Sequence, residues 1–420
     1  MDTGLELREV MERAGQWLLR SQDPSGGWAE RPGKIPSALN TAKSIIALID
    51  AGLAKAGDKP IQEAMGFLLK HKRCEAGPDH GAWPREYQAE GGGPVRMIPD
   101  ILRTAFAIEA LIKAGRAVDA EPVKESVQWL IASQNTGDID HGWGYRRDVA
   151  SSITATCYAL LALLEAHRAG AAQCKESIER GLAYLVDRCH NDDGSFGTQG
   201  PLLAAHTVCA ALVLQAARRQ ELGSVRSVNC EKAALEWLRR NPDSANRLVE
   251  EQIQIDAQPG GAGNYGFLFM TDSLVLCTLM GSDHVEYHRS ELANTALLTL
   301  KDRWDNSGGG FYGPRVFSWS TAKALSALSA THVQEFPERK PEREAGFTVG
   351  QIVMVAFTLL LLGSVLYLTI IKSFELLHAV FFSVLILALL LVSRFIGEKT
   401  FAELFNGLVG TLGGKKKKEP

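Results

Sequence analysis

Apolar segments with helical spacing recur along most of this chain, and each follows a turn that contains an aromatic residue. In the stretch 139–166, the turn Gly142-Trp143-Gly144 leads into an apolar segment whose first turn is rich in Ser and Thr. Four further turns of this kind contain Trp28, Trp83, Phe196 and Phe311. The pattern predicts a structural repeat, whereas an irregular helical domain would not explain why the turn and the Thr-Ala helix recur together.

The spacing of the turns gives the period of the repeat. The first intervals between turn aromatics are 55, 60 and 53 residues, and the last, of 115 residues, has room for two units. The segment Asn264-Tyr265-Gly266-Phe267, ahead of Thr271, fits the missing fifth turn. Another apolar helix precedes each turn, so each unit is predicted to be a helical hairpin. Such units bury their apolar faces only against neighbours, which favours a solenoid or a closed ring of about six hairpins.

The composition changes after the repeats. We expect the repeat domain over residues 1–336 and a charged linker, PERKPEREAG, over 337–346. The stretches 347–371 and 376–393 contain no Asp, Glu, Lys or Arg, and their lengths are near or above the roughly 20 residues that cross a bilayer as a helix. We therefore predict two transmembrane helices within 347–396; a buried pair of core helices is the alternative.

Basic residues lie on both outer sides of these two stretches, and they include Arg339, Lys340, Arg394 and Lys399. The positive-inside rule then predicts an integral membrane protein whose repeat domain and both termini are cytoplasmic, with membrane lipids as partners. Residues 397–420 combine apolar positions at helical spacing with a run of lysines, which predicts a segment at the membrane surface. A solvated tail is the alternative.

Charge and cysteine content argue against several further classes of protein. The net charge of −3, without a basic stripe among exposed aromatics, argues against nucleic acid as a partner. Seven cysteines occur singly, which is typical of reduced thiols rather than a disulfide framework. The N-terminal residues lack the basic and apolar regions of a secretory signal.

The repeats resemble the prenyltransferase and squalene oxidase repeat of squalene-hopene cyclases, class II terpenoid cyclases and protein prenyltransferase β subunits. The resemblance covers roughly residues 10–335 and is carried by motifs such as Gln16-Trp17 upstream and Gly26-Gly27-Trp28 downstream. It implies an all-α fold, an α/α toroid, in which the Thr-Ala helices form an inner layer around a largely apolar cavity that opens at one end.

The resemblance also implies where a catalytic acid would lie. Class II cyclases carry D-x-D-D just before Thr-Ala, and the middle acid protonates an alkene or epoxide. The matching segment here is Asp100-Ile101-Leu102-Arg103, with Leu102 in the place of the proton donor. Asp100 remains a weak catalytic candidate, because the neighbouring Arg103 favours an ionised carboxylate, which is a poor proton donor. We expect no proton-initiated cyclisation at this position.

Two short motifs contain the residue types of a zinc site. Protein prenyltransferases bind zinc through an Asp-x-Cys pair and a distant His. Asp187-Arg188-Cys189-His190 has these residue types but lies at the end of a predicted outer helix, and His284 and His288 have helical spacing without a third ligand. We therefore expect neither a metal nor a cofactor.

Polar residues at the starts of the predicted inner helices, and in the adjoining turns, are the candidate ligand contacts. Arginine among them suits a pyrophosphate, because its guanidinium donates several hydrogen bonds in a fixed geometry. Each residue also has a plainer interpretation as a helix cap or a turn residue. Together they outline the predicted mouth of the cavity: Asp100, Arg103, Tyr145, Arg146, Ser152, His206, Asp272 and Arg315.

Three functions remain open. The first is a membrane-anchored toroid that binds an isoprenoid-like ligand or a protein partner without catalysis. The second is a divergent isoprenoid or terpenoid cyclase, or a prenyltransferase, that acts on a membrane-derived substrate. The third is a structural scaffold. The absence of an acid at Leu102 favours the first, and the ligand itself cannot be read from the sequence.

Overall fold

The computed structural model describes residues 6–71, 77–87, 96–137, 140–254, 264–283, 285–288, 290–312 and 317–331. The chain divides into two units, Met1–Pro337 and Glu338–Pro420, and all described residues belong to the first.

Helices dominate this unit. In chain order the elements are α1 (Leu7–Arg20), α2 (Ala38–Asp50), α3 (Lys59–His71), β1 (Pro84–Tyr87), β2 (Arg96–Pro99), α4 (Ile101–Lys113), α5 (Val123–Ala132), α6 (Ile153–Arg168), a 3₁₀ turn (Ala172–Cys174), α7 (Lys175–Tyr184) with a π-helical end (Leu185–Cys189), α8 (Leu203–Arg219), α9 (Val225–Arg240), α10 (Pro242–Ala245), β3 (Leu248–Gln254), β4 (Asn264–Met270), α11 (Thr271–Met280), α12 (Val285–His288), α13 (Glu291–Asp302) and α14 (Ser318–Ser329).

Six of the helices form a closed inner ring. In order around the ring, α2 packs against α4, α4 against α6, α6 against α8, α8 against α11, α11 against α14, and α14 against α2. An outer helix covers each of them: α3 packs on α2, α5 on α4, α7 on α6, α9 on α8, α13 on α11 and α1 on α14. This arrangement confirms the predicted α/α toroid of six helical hairpins, with the Thr-Ala helices inside.

One hydrogen bond recurs in five of the six units. The backbone N–H of the turn aromatic donates to the hydroxyl of a threonine in the inner helix that follows, over 2.9 to 3.0 Å. The aromatic side chains involved are fully buried. The pairs are Trp28 with Thr41, Trp83 with Thr104, Trp143 with Thr156, Phe196 with Thr207 and Phe311 with Thr321. In these units the bonded threonine therefore fixes the height of its helix relative to the turn.

Glycines let the turns lie close to the next outer helix. Gly26 and Gly81 have φ values of +90° and +97°, which favour glycine because it has no Cβ. A Cβ at these positions would lie 2.4 Å from the carbonyl oxygen of Glu63 in α3 and 2.5 Å from that of Glu125 in α5. These turns therefore accept no side chain without a shift of the backbone.

Contacts between the first and last units close the ring. The Ser318 hydroxyl donates to the carbonyl of Ala29 over 2.6 Å, and the Ser318 N–H donates to the carbonyl of Glu30 over 2.9 Å. The guanidinium of Arg13 lies 5.2 Å from the centroid of the Trp304 ring. The start of α14 is therefore bonded to the first turn of the chain.

Two strand pairs depart from the predicted all-α fold. β1 pairs with β2 ahead of α4, and β3 pairs with β4 ahead of α11, both antiparallel. The segment Asn264-Tyr265-Gly266-Phe267 lies in β4 and does not form the predicted fifth turn. Phe267 and Phe269 are buried and two residues apart, so the alternation of a strand turns both toward the ring.

The membrane assignment requires a correction. In the part of the chain that the structure describes, no helix has both the length and the apolar character needed to cross a membrane. The longest, α8, has 17 residues, below the roughly 20 that a spanning helix needs. This finding contradicts the predicted localisation as an integral membrane protein with a cytoplasmic toroid and termini. The predicted linker (337–346), spans (347–396) and tail (397–420) lie outside the described residues.

We expect Thr156→Val to destabilise the ring by about 1 to 3 kcal/mol, because it leaves the buried N–H of Trp143 without its acceptor. Urea denaturation monitored by circular dichroism measures the change. The control is Thr295→Val in α13, where the hydroxyl bonds only to the carbonyl of Glu291 in its own helix. Equal losses in both variants would show that the bond to the turn is not what stabilises the unit.

Candidate functional site

A cavity of about 360 Å³ lies inside the ring, and all six inner helices contribute side chains to its wall. The wall extends to the C-terminal ends of these helices, where Asp50, Lys113 and Arg219 are the last residues of α2, α4 and α8. Asp50 is exposed, so the cavity opens to solvent at this end.

Most of the lining residues fall into three layers, according to their distance in sequence from one threonine near the start of each inner helix. These threonines are Thr41, Thr104, Thr156, Thr207, Thr271 and Thr321. The floor layer, two residues after that threonine, contains Lys43, Phe106, Tyr158, Ser273 and Lys323. The middle layer, five residues after it, contains Ile46, Glu109, Leu161, Leu212 and Ser326, and the rim layer, nine residues after it, contains Asp50, Lys113, Glu165 and Ala216. Steps of three and four residues keep one face of each helix directed inward.

The hairpin of β3 and β4 covers the other end of the ring. The ring of Phe267 contacts that of Tyr158 with centroids 5.6 Å apart, and Phe269 contacts His206 with centroids 6.4 Å apart. Glu251 of β3 accepts a hydrogen bond of 2.6 Å from the Thr154 hydroxyl in α6. The hairpin is therefore held to the ring by aromatic contacts and by the half-buried carboxylate of Glu251.

Two lysines occupy the floor layer on the neighbouring helices α2 and α14. The Lys43 ammonium lies 5.0 Å from the ring centroids of Phe106 and Phe267. The Lys323 ammonium lies 5.2 Å from the centroid of Phe106 and 5.7 Å from that of Tyr158. Burial, followed by the charge of Lys323, holds the pKa of Lys43 well below its usual range. Cation–π contacts of this kind stabilise an ammonium by roughly 0.5 to 2 kcal/mol.

Glu109 is the carboxyl group of the middle layer. Burial raises its pKa to about 7, although the nearby Lys113 opposes the rise. Lys113 itself forms an ion pair with Asp50 at the rim, with Nζ 2.6 Å from Oδ1. A carboxyl group with a pKa near 7 can donate or accept a proton at neutral pH.

The candidates from the sequence lie at the opposite end of the inner helices, and none of those described lines this cavity. Asp100 caps α4, where its carboxylate accepts the N–H of Arg103 over 2.9 Å and lies 3.6 Å from Nε of Arg85. Ser152 caps α6 by accepting the N–H of Ala155 over 3.3 Å. These contacts match the plainer interpretation of both residues as helix caps.

Tyr145 and His206 meet at Glu251. Nε2 of His206 lies 3.8 Å from Oε2 of Glu251, and burial together with this carboxylate raises the pKa of Tyr145. Asp272 is fully buried with Oδ2 2.8 Å from Nε of Arg303, and burial raises its pKa although Arg303 opposes the rise.

Arg146 lies partly exposed in the loop before α6, and Arg315 lies outside the described residues. Ligand binding by these candidates stays a prediction.

Sequence reasoning missed the charged residues of the cavity. The signal was present, because Thr41-Ala42-Lys43 and Thr321-Ala322-Lys323 place a lysine at the same position of two otherwise apolar helices. Glu109 likewise interrupts the apolar segment of α4. Glu251 could not be found in this way, because it belongs to a strand that the repeat pattern does not predict.

The described residues of the two zinc-like motifs make other contacts. Asp187 pairs with Arg226 over 2.5 Å, and the ring of His190 contacts that of Phe196 with centroids 5.0 Å apart. Nε2 of His288 donates to the carbonyl of Ser282 over 2.9 Å, and His284 lies outside the described residues. Among the residues that the structure describes, no group of three or more His, Cys, Asp or Glu side chains is placed to hold a metal ion.

Comparison with known sequences identifies related proteins. Residues 5–245 match the family model of the prenyltransferase alpha-alpha toroid domain. Drimenyl diphosphate synthase of Streptomyces showdoensis is 27% identical over 194 residues, which cover 44% of this chain and 32% of that protein. Protostadienol synthase A of Arthroderma gypseum is 26% identical over 144 residues, 32% of this chain and 18% of that protein. The matches thus span about a third or less of these relatives.

Solved structures share the ring. A cellobiose 2-epimerase of Bacillus thermoamylovorans superposes with a TM-score of 0.52 at 9% identity, covering 77% of this chain and 98% of that one. The type II terpene cyclase MstE of Scytonema, in complex with merosterolic acid A, gives 0.50 at 13% identity over 77% and 96%. An alpha-1,6-mannanase of Salegentibacter gives 0.50 at 14% identity over 77% and 98%. At these identities the similarity establishes the fold alone.

We expect Glu109 to make the stability of the ring depend on pH. The folded chain keeps a proton that the unfolded chain releases between pH 4.5 and about 7, so the free energy of unfolding falls as pH rises through this window and stays lower above it. At about 1.4 kcal/mol per pKa unit, the fall is about 3 kcal/mol. The charged groups that influence the pKa of Glu109 are Lys113, Asp50, Lys323 and Glu165.

Urea denaturation at pH 5 and pH 8 measures this effect. Glu109→Gln should lose less stability than the wild type between the two pH values. Glu12→Gln, which changes an exposed carboxyl on α1, should behave as the wild type does. If Glu109→Gln and the wild type lose the same amount, the carboxyl does not titrate in this window.

Proposed function

The chain belongs to the prenyltransferase alpha-alpha toroid domain family, and we propose that it binds a small hydrophobic, isoprenoid-like ligand in the central cavity without class II cyclase chemistry. The observation that carries this proposal is the composition of the wall. Ile46, Leu161 and Leu274 provide aliphatic surface and Phe106 provides an aromatic ring, all from different inner helices. A concave, mostly apolar site with a few polar groups is typical of small-molecule binding.

The size of the cavity limits the ligand. A volume of about 360 Å³ lies near the lower end of the roughly 300 to 1,000 Å³ usual for ligand sites. The hairpin of β3 and β4 covers one end, so a ligand would enter at the rim. A small amphipathic molecule, rather than a long polyprenyl chain, suits this space.

The surroundings of Leu102 support the absence of cyclase chemistry. Leu102 is only 1% exposed and offers a hydrocarbon at the position that the family resemblance gives to the acid. Asp100 uses both carboxylate oxygens, one for the N–H of Arg103 and one toward Arg85. Proton donation by this segment would require a carboxyl group that is both neutral and directed into the cavity.

A divergent cyclase is the second candidate, and Glu109 is the observation that favours it. Its carboxyl group lines the cavity and has a pKa raised to about 7 by burial, so it is partly protonated at neutral pH. The sequence matches to drimenyl diphosphate synthase and protostadienol synthase A point to the same class of chemistry. Binding remains the preferred proposal, because Glu109 lies nine residues after Asp100 in α4, outside the segment that the family resemblance gives to the catalytic acid.

We expect a hydrophobic ligand to copurify with the full-length protein, and Leu161→Trp to reduce its occupancy at least tenfold by filling the cavity. Native mass spectrometry and analysis of organic extracts measure the occupancy. Ile35→Trp is the control, because Ile35 is 85% exposed and does not line the cavity. Equal occupancy in both variants would place the ligand elsewhere, and a bound protein in its place would favour a scaffold.

We expect the purified protein to yield no cyclic product from squalene, oxidosqualene or geranylgeranyl diphosphate, analysed by gas chromatography of the extracts. A product that disappears in Glu109→Gln would favour the divergent cyclase. A product that disappears in Asp100→Asn would instead contradict the interpretation of Leu102.

A further inference from the structure

We propose that the floor of the cavity binds the anionic head group of the ligand, a phosphate or a carboxylate, between the ammonium groups of Lys43 and Lys323. This inference rests on the proposed function and extends it to the chemical class of the ligand. It makes the ligand an amphipathic anion whose apolar part lies in the middle layer.

The lysines are neighbours in space and carry the same sign. They occupy equivalent positions on α2 and α14, which pack against each other at the closure of the ring. Both ammonium groups lie about 5 Å from the centroid of the same ring, that of Phe106. Two like charges within one cavity repel each other, and an anion between them would remove that repulsion.

Among the described residues neither lysine forms an ion pair with a carboxylate, although the charge of Lys323 acts on the carboxyl group of Glu109 in the middle layer. Aromatic rings are the partners that it does provide, and they compensate a buried ammonium only in part. Lys43 is only 7% exposed, so water replaces a counter-ion poorly. An ammonium group has three N–H donors, which suit the oxygens of a phosphate or a carboxylate.

The described part of the wall contains two further cations, Lys113 and Arg219, and both lie at the C-terminal ends of their helices. Lys113 at the rim pairs with Asp50 over 2.6 Å, and the guanidinium of Arg219 donates to the carbonyl of Gly281. At the depth of the floor, the cations among the described lining residues are therefore Lys43 and Lys323.

The remaining floor residues show that the ring itself does not require a charge at this depth. The equivalent positions on α4, α6 and α11 carry Phe106, Tyr158 and Ser273, all uncharged. Above the floor, Ile46, Leu161 and Leu212 form an aliphatic surface. A head group at the floor would thus place the apolar part of a ligand against this surface.

Isothermal titration calorimetry of the full-length protein tests the proposal with three matched probes: farnesyl phosphate, farnesoate and farnesol. We expect at least one of the two anions to bind roughly ten- to hundredfold more tightly than the neutral alcohol, the range for hydrogen bonds to charged groups. The two anions distinguish a phosphate site from a carboxylate site.

Variants then locate the head group. Lys43→Met and Lys323→Met should each lower the affinity for the preferred anion about tenfold or more and leave that for farnesol unchanged, and Lys323→Arg should retain the preference. Lys113→Met is the matched control at the rim and should change the affinity for the anion less than threefold. Circular dichroism of each variant checks that it folds. If Lys43→Met does not fold, the affinity of Lys323→Met for the anion tests the proposal by itself.

Equal affinity for the anions and the alcohol would overturn the head-group site, and so would an equal loss in Lys113→Met and Lys323→Met. In either case, farnesol binding that Leu161→Trp abolishes would still support the proposed function. Failure of all three probes to bind would overturn both proposals.

Discussion

The hydrogen bond between the turn amide and the inner-helix threonine sets the geometry of the whole domain. The turn aromatic is buried, so its N–H must find a partner inside the protein. The threonine hydroxyl supplies that partner in five units, over nearly the same distance each time. These five inner helices are consequently held at one height, and their residues at equal offsets from the threonine meet at equal depth. A repeat that looks like a packing motif thus determines which side chains share a layer of the cavity.

The fifth unit shows what happens without this bond. Thr271 donates instead to the carbonyl of Arg247, and a strand pair takes the place of the aromatic turn. The hairpin puts Phe267 against Tyr158 and Glu251 against Thr154, so it covers one end of the ring. Where the bond between the turn amide and the threonine is absent, the hairpin of β3 and β4 closes one end of the cavity. The rim, at the C-terminal ends of the inner helices, stays open.

The sequence predicted the ring well because its signals are local. The turn aromatic, the threonine and the apolar face lie within a few residues of one another, so periodicity reveals them. The cavity chemistry depends on contacts that periodicity does not show: Lys43 and Lys323 become neighbours only when α14 returns to α2. The fifth unit was missed because the letters of Asn264-Tyr265-Gly266-Phe267 resemble a turn motif, whereas this segment lies in β4. The membrane assignment came from composition alone, and no described helix supports it.

The layered arrangement also separates stability from specificity. The bonds that define the ring involve turn amides, threonine hydroxyls and the carbonyls of the first turn, none of which faces the cavity floor. Substitution at the floor offset therefore changes the chemistry of the cavity with little effect on the frame. Solved structures of a mannanase, a terpene cyclase and an epimerase share the fold of this ring. In this chain the floor carries two lysines where a plain hydrocarbon would suffice for packing, and burying the ammonium of Lys43 is unfavourable without a counter-charge. A bound anion thus lowers the free-energy cost of burying lysine charge at the floor. The hydrogen-bonded ring of helices holds the two lysines in place whether or not an anion is bound.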